Sequence, residues 1–245
     1  MLLIAAVVLL GLAALGGFLS DNSSEDSSLQ DNAAESDDEP SDERSDEAAA
    51  TDEDPTLHAD MLAFRAEDDP RALGDPDAAV VMIQWADFQC GFCARFARET
   101  EPELIERYVD PGILRIEWRD LPLQGDAAVQ TAFAGRAAAD QEAFWQLHEA
   151  LYAEESPLPS SQRNRDGLAD LAEHLDLDVD RFLDIYDDPD VRQAVAAEAQ
   201  LAQQLGITGT PAFLIADQPV MGAQPFEVFA SVIEAAAQDA GVALP

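Results

Sequence analysis

This chain of 245 residues contains no lysine, and its only cysteines are Cys90 and Cys93. All of its basic charge is arginine, and 13 Lys+Arg against 50 Asp+Glu leave a formal net charge of -37. A surface this acidic repels phosphate backbones, so nucleic acid is excluded as a partner. Two cysteines three positions apart cannot form the widely spaced framework that staples a small secreted fold, because the loop they close is tiny. The three histidines, His58, His148 and His174, show no metal-ligand spacing, and there is no second CxxC. Neither a metal nor another cofactor is expected.

Charge is also missing from residues 1–20, MLLIAAVVLLGLAALGGFLS. The run sits near the lower limit of about 17–20 residues for spanning a bilayer. No polar face interrupts it, which argues against a core helix. Two readings remain, an uncleaved transmembrane anchor or a signal peptide cut near Ala14-Leu15-Gly16. The anchor is favoured, because a signal usually begins with basic residues and the first arginine here is Arg44. Residues 21–56 carry 15 acids and one arginine with few large apolar groups, the composition of a disordered acidic linker. The rest, 57–245, is long enough for one buried core.

Within 57–245 the hydrophobic pattern gives an order of elements. Ala79–Ala86 reads as a buried strand, and Asp87-Phe88-Gln89 as a turn. Cys90 to Tyr108 is helical, with Phe92, Phe96, Leu104 and Tyr108 on one stripe and a kink or break at Pro102. Ile113–Trp118 alternates apolar and charged residues, as a half-buried strand does. One long helix is expected over 126–152, then helices over 166–175, 178–186 and 189–204, the last closed by Gly206. A strand over 212–216, a turn into a further strand at 217–222 and a helix over 226–240 complete the chain. Leu62-Ala-Phe64 is a candidate short edge strand. The order predicts an α/β fold in which a βαβ unit and a ββα unit are joined by a helical block.

The chemistry centres on Cys90-Gly91-Phe92-Cys93, which follows a buried strand and opens a helix. A helix N-terminus supplies unpaired N–H groups and the positive end of a dipole, both of which favour a thiolate. Cys90 is expected to be the exposed nucleophile. Cys93, one turn in, is expected to be the less exposed resolving thiol. A zinc half-site, an inert buried pair and a permanent staple fit this context less well than redox exchange does. Asp87 is expected to cap the helix. His148, beside Trp145 and Leu151, reads as a packed core histidine.

The segment Trp85-Ala-Asp-Phe-Gln-Cys-Gly-Phe-Cys-Ala-Arg-Phe96 resembles the active-site segment of the DsbA-like thioredoxin-fold oxidoreductases. Gly206-Ile-Thr-Gly-Thr-Pro-Ala-Phe213 resembles the same family's cis-proline loop. The resemblance covers most of 60–241 and implies a thioredoxin fold with an inserted helical domain over about 122–205. It implies that Pro211 is cis and faces the CxxC, with Thr210 before it, open to an extended substrate segment. The implied activity is thiol–disulfide exchange with cysteine-containing exported proteins outside the cytoplasm, with a membrane quinone-linked protein as redox partner. An oxidase is the leading reading. A reductase or isomerase, and a peptide-binding chaperone-like module that barely cycles its thiols, are the alternatives. Two positions depart from the family pattern. Gln84 stands where a buried acid often helps to move protons, and Gly91-Phe92 offers no charge to the thiolate. Arg95 and Arg98, in the same helix, are the candidates to compensate.

Overall fold

The structure is a computed structural model, and it describes residues 57–244. The expected anchor or signal at 1–20 and linker at 21–56 lie outside those residues. Among the described residues no helix is long and apolar enough to cross a membrane.

Five strands form one sheet: β1 Ala72–Leu73, β2 Val80–Ala86, β3 Leu114–Asp120, β4 Ala212–Ile215 and β5 Gln218–Met221, in the order β1-β3-β2-β4-β5. β2 and β3 are parallel, with Gln84 opposite Trp118, and the other neighbours are antiparallel. Between β2 and β3 run α1 Gly91–Glu99 and α2 Glu101–Leu104, which continues as a π-helical turn, Ile105–Val109. α3 Asp126–Ala139, α4 Phe144–Tyr152, α5 Arg165–His174, α6 Val179–Asp187 and α7 Pro189–Gln204 are inserted between β3 and β4. α8 Phe226–Asp239 follows β5. This is a mixed α/β thioredoxin-like fold with a helical insertion.

Both faces of the central strands are covered. Met82, Ile116, Phe96, Phe213 and Phe229 pack on one face, beside α1 and α8. Val81, Ile83, Trp85, Leu214 and Ala202 pack on the other, under α7. A separate cluster unites Phe88, Trp118 and Phe144 with the helical insertion.

Four expectations need correction. β3 is buried along its whole length, not on one face only. Its charged residues are paired inside: Glu117 accepts from Arg115 and Arg119, both at 2.8 Å. The expected helix over 126–152 is two, because the chain turns through Glu142 at φ 59 before α4 begins. Leu62-Ala-Phe64 is no strand. The backbone N–H groups of Phe64 and Arg65 donate to the Glu117 carboxylate, and the short edge strand is Ala72–Leu73. Phe92 leaves the apolar stripe and points outward, 60% exposed, with Arg95 over its ring.

The helical run from Cys90 to Tyr108 breaks at Thr100, two residues before Pro102. Proline has no N–H for the carbonyl four residues back, and it disfavours helical geometry in the residue ahead of it. Glu101 flanks the buried stripe of Cys93, Phe96, Leu104 and Tyr108 and is 4% exposed.

Candidate active site

Strand β2 ends at Ala86, and the turn over 87–89 delivers Cys90 as the N-cap residue of α1, in extended conformation. The first turn of α1 therefore points its free N–H groups at the Cys90 sulfur. Both cysteines are thiols here. The expected order of exposure is present but compressed, since Cys90 is 5% and Cys93 1% exposed. Cys90 is thus covered rather than open, at the wall of a cleft that also includes Gln89, Gly91, Tyr152 and Arg163.

The two thiols differ sharply. The Cys93 thiol donates toward the Cys90 sulfur and, against the effect of burial, this bond does most to lower the Cys90 pKa to about 5. The Thr210 side chain and the backbone N–H groups of Cys93 and Phe92 add to it. For Cys93, burial drives the pKa far up, and its bond to Cys90 raises it further. A proton resting between the two sulfurs belongs to Cys93.

Asp87 does not cap α1, contrary to expectation. One carboxylate oxygen accepts from the N–H of Gln89 at 2.8 Å, and the other from Leu123 at 2.8 Å and Gln124 at 3.0 Å. Asp87 thereby ties the active-site turn to the loop after β3. Burial still raises its pKa, against those three bonds. Two residues that sequence reasoning missed hold the same turn from the insertion. The Tyr152 hydroxyl donates to the Asp87 carbonyl at 2.9 Å. Arg163 donates to the carbonyls of Phe88 at 2.7 Å and Leu151 at 2.6 Å. Arg163 lies in a Ser/Gln/Arg/Asn loop whose composition gives no hint of burial.

The loop between α7 and β4 brings the second segment to the first. The Thr210–Pro211 peptide bond is cis, and the Cys90 thiol reaches the Thr210 carbonyl at 3.2 Å. Gly91 has open space where a side chain would start. Arg95 and Arg98 are occupied elsewhere, donating to the carbonyls of Ala223 and Tyr152. Gln84 is buried beneath the site with its side-chain oxygen unpartnered. His148 is ringed by Phe88, Trp118, Phe144, Trp145 and Tyr152, and burial lowers its pKa to about 3. Among the described residues, no group of His, Cys, Asp and Glu is placed to hold a metal.

A family model described as thioredoxin matches residues 66–235. The chain belongs to the thioredoxin family. Within that family its fold is DsbA-like. The crystal structure of α-DsbA1 from Wolbachia pipientis superposes with a TM-score of 0.62 at 25% identity, covering 69% of this chain and 92% of that one. A probable disulfide bond formation protein D of Bacillus cereus is 24% identical over 160 residues, 64% of this chain and 73% of that protein. A Na(+)/H(+) antiporter, NhaA 3 of Salinispora tropica, is 31% identical over 179 residues, which are 72% of this chain. This chain spans only 26% of that antiporter. A DsbA-like fold with a low-pKa thiol at a helix N-terminus, a protonated partner one turn on and a proline loop against them is a thiol–disulfide exchange site.

Proposed function

We propose that the chain is an extracytoplasmic oxidase that delivers disulfides to cysteine-containing exported proteins. The observation that carries this reading is the asymmetry of the pair. A dithiol whose first sulfur is held as a thiolate at neutral pH is stabilised in its reduced form, so its disulfide is a strong oxidant.

In the first step a client thiolate attacks the Cys90 sulfur of the oxidised pair. The Cys90–Cys93 bond breaks, and Cys93 departs with the electron pair and takes up a proton. A second client thiolate then attacks the client sulfur of the mixed disulfide. The client disulfide forms, and Cys90 leaves as a thiolate. Two electrons have passed from client to pair, and a membrane quinone-linked partner is the class of oxidant that would remove them. Client backbone lies along Thr210 and Pro211 in the manner of an added strand, and Gly91 and Phe92 form the open rim. The apolar run 1–20 keeps the domain at the membrane, and 21–56 spaces it from the surface.

The test is the reduction potential of Cys90–Cys93 in glutathione buffers. A value near about -120 mV supports the oxidase, and one near about -270 mV assigns the opposite direction. Cys90→Ser is expected to abolish exchange, and Cys93→Ser to accumulate covalent mixed disulfides with clients. If Cys93→Ser, first loaded at Cys90 as the mixed disulfide with glutathione, exchanges that glutathione for no reduced client, the roles given to the two cysteines are wrong.

A further inference from the structure

Where acids outnumber arginines so heavily, an arginine without an acid beside it stands out. Of the twelve arginines among the described residues, nine pair with an Asp or Glu. The other three are Arg95, Arg98 and Arg163, and all three stand beside the CxxC. Arg98 and Arg163 line the cleft that includes Cys90. The Arg95 guanidinium lies 5.2 Å from the centre of the Phe92 ring. Each donates to a backbone carbonyl, Arg95 to Ala223 at 2.6 Å, Arg98 to Tyr152 at 2.8 Å and Arg163 to Phe88 at 2.7 Å. A carbonyl occupies a donor but brings no net charge, so the three cations stay unneutralised.

The three are not equivalent. Arg163 is buried and holds the active-site turn. Arg98 shares one cleft with Glu149 and the other with Glu154 and Glu155. Arg95 is exposed, and Glu99, one turn further along α1, makes no ion pair with it. Its partner Ala223 lies just beyond β5, where the Gly222 N–H donates to the Pro211 carbonyl at 2.8 Å. Met221, opposite Ala212, is 50% exposed. Phe92, Arg95 and Met221 thus border the CxxC and the cis-proline loop with two exposed apolar side chains and one cation. Arg95 spends one of its five N–H donors on Ala223 and keeps a fork for a carboxylate.

We propose that Arg95 selects client segments that carry an Asp or Glu close to the reacting cysteine. In an extended client the residues two positions before and after the cysteine share its face. A carboxylate at one of them meets the Arg95 guanidinium, and an apolar neighbour covers Phe92. This contact opposes the field of the molecule. A net charge of -37 repels an acidic client at a distance and draws a basic one. Salt separates the two effects, because at about 1 M the Debye length falls to about 3 Å and only close contacts survive.

Arg95 acts here on the exchange proposed above, so the wild-type rates are read first. The full chain in its oxidised form is mixed with reduced peptides in about 1 M salt. The peptides differ only two positions before or after a single cysteine, where they carry Asp, Asn or Lys. The same rates are taken for Arg95→Gln and Arg95→Glu. Comparing each peptide ratio between wild type and variant cancels the intrinsic reactivity of the peptide thiols. At one of the two positions the Asp-to-Asn rate ratio is expected to be about fivefold larger in wild type than in Arg95→Gln. Arg95→Glu is expected to reverse the preference and favour the Lys peptide. A wild-type protein that reacts with no peptide would refute the exchange activity, and the selection with it. Exchange at ratios that neither Arg95→Gln nor Arg95→Glu changes would overturn the role of Arg95 alone.

Discussion

Among the described residues two glutamates are buried, one on each side of the sheet, and they behave oppositely. Glu117 projects from β3 toward the face covered by residues 62–66, and it is fully enclosed. Its carboxylate accepts from Arg115, from Arg119 and from the N–H groups of Phe64 and Arg65. Burial pushes its pKa up, but those four donors outweigh it and hold the pKa at about 2. Glu101, on the α4 side, has desolvation without such donors and rises to about 8. The depth of burial does not decide what a carboxyl does. The number of donors facing it does. With four it is a permanent anion that binds a segment to the sheet, and with one amide it is a group that can trade protons.

The largest effect expected from breaking this contrast is at Glu117. Glu117→Gln leaves two arginines buried without their anion, and such a loss costs about 3–5 kcal/mol. Urea unfolding at pH 7 measures it. Because the folded-state pKa lies below the unfolded value of 4.5, the wild-type advantage is present above about pH 4.5. It should fade as pH falls toward about 2. A gap that does not change with pH would show that Glu117 acts through packing alone.

Glu101→Gln should have the opposite sign. Its folded-state pKa is raised, so the stability linked to it is complete below about pH 4.5 and lost as pH rises through about 8. Above pH 8 the variant should therefore be more stable than wild type, by about 1–3 kcal/mol, and Tm measured against pH shows the crossing. The smallest effect belongs to a pair that is not buried at all. Arg107 and Glu103 are about half exposed and 3.3 Å apart. Arg107→Ala should change stability by about 1 kcal/mol or less, including its contact with the Phe226 ring.

The contrast also explains what the sequence could disclose. The motif at 90–93, β2 and the helices of the insertion were legible because each depends on local pattern, whereas the cis proline at 211 was reached only through the family resemblance. A strand reads as apolar and β-branched, a cap as Asp or Gly, and an exchange site as CxxC after a strand. The burial of β3 was not legible. Arg115, Glu117 and Arg119 alternate with apolar residues as a solvated face would, and only the arrival of residues 62–66 turns that face inward. The split between α3 and α4 carries no Gly or Pro, since the turn residue in the left-handed region is Glu142. Glu101 looked like one more acid on an acidic helix. Its burial follows from the packing of α4 and β2 around it, and its contact with Gln84 emerges only when two residues 17 positions apart are seen side by side. Asp87 was found for the wrong reason, since its partners at 123 and 124 are distant in sequence.

The sheet ends in β5, where Pro219 lies opposite Leu214 and three of the four residues are exposed. At the opposite margin β1 is two residues long. A proline offers no N–H to an incoming strand, and a two-residue strand offers almost no template. Neither margin, then, invites a partly folded neighbour to zip on, and the folded domain resists being drawn into aggregates through its sheet edges.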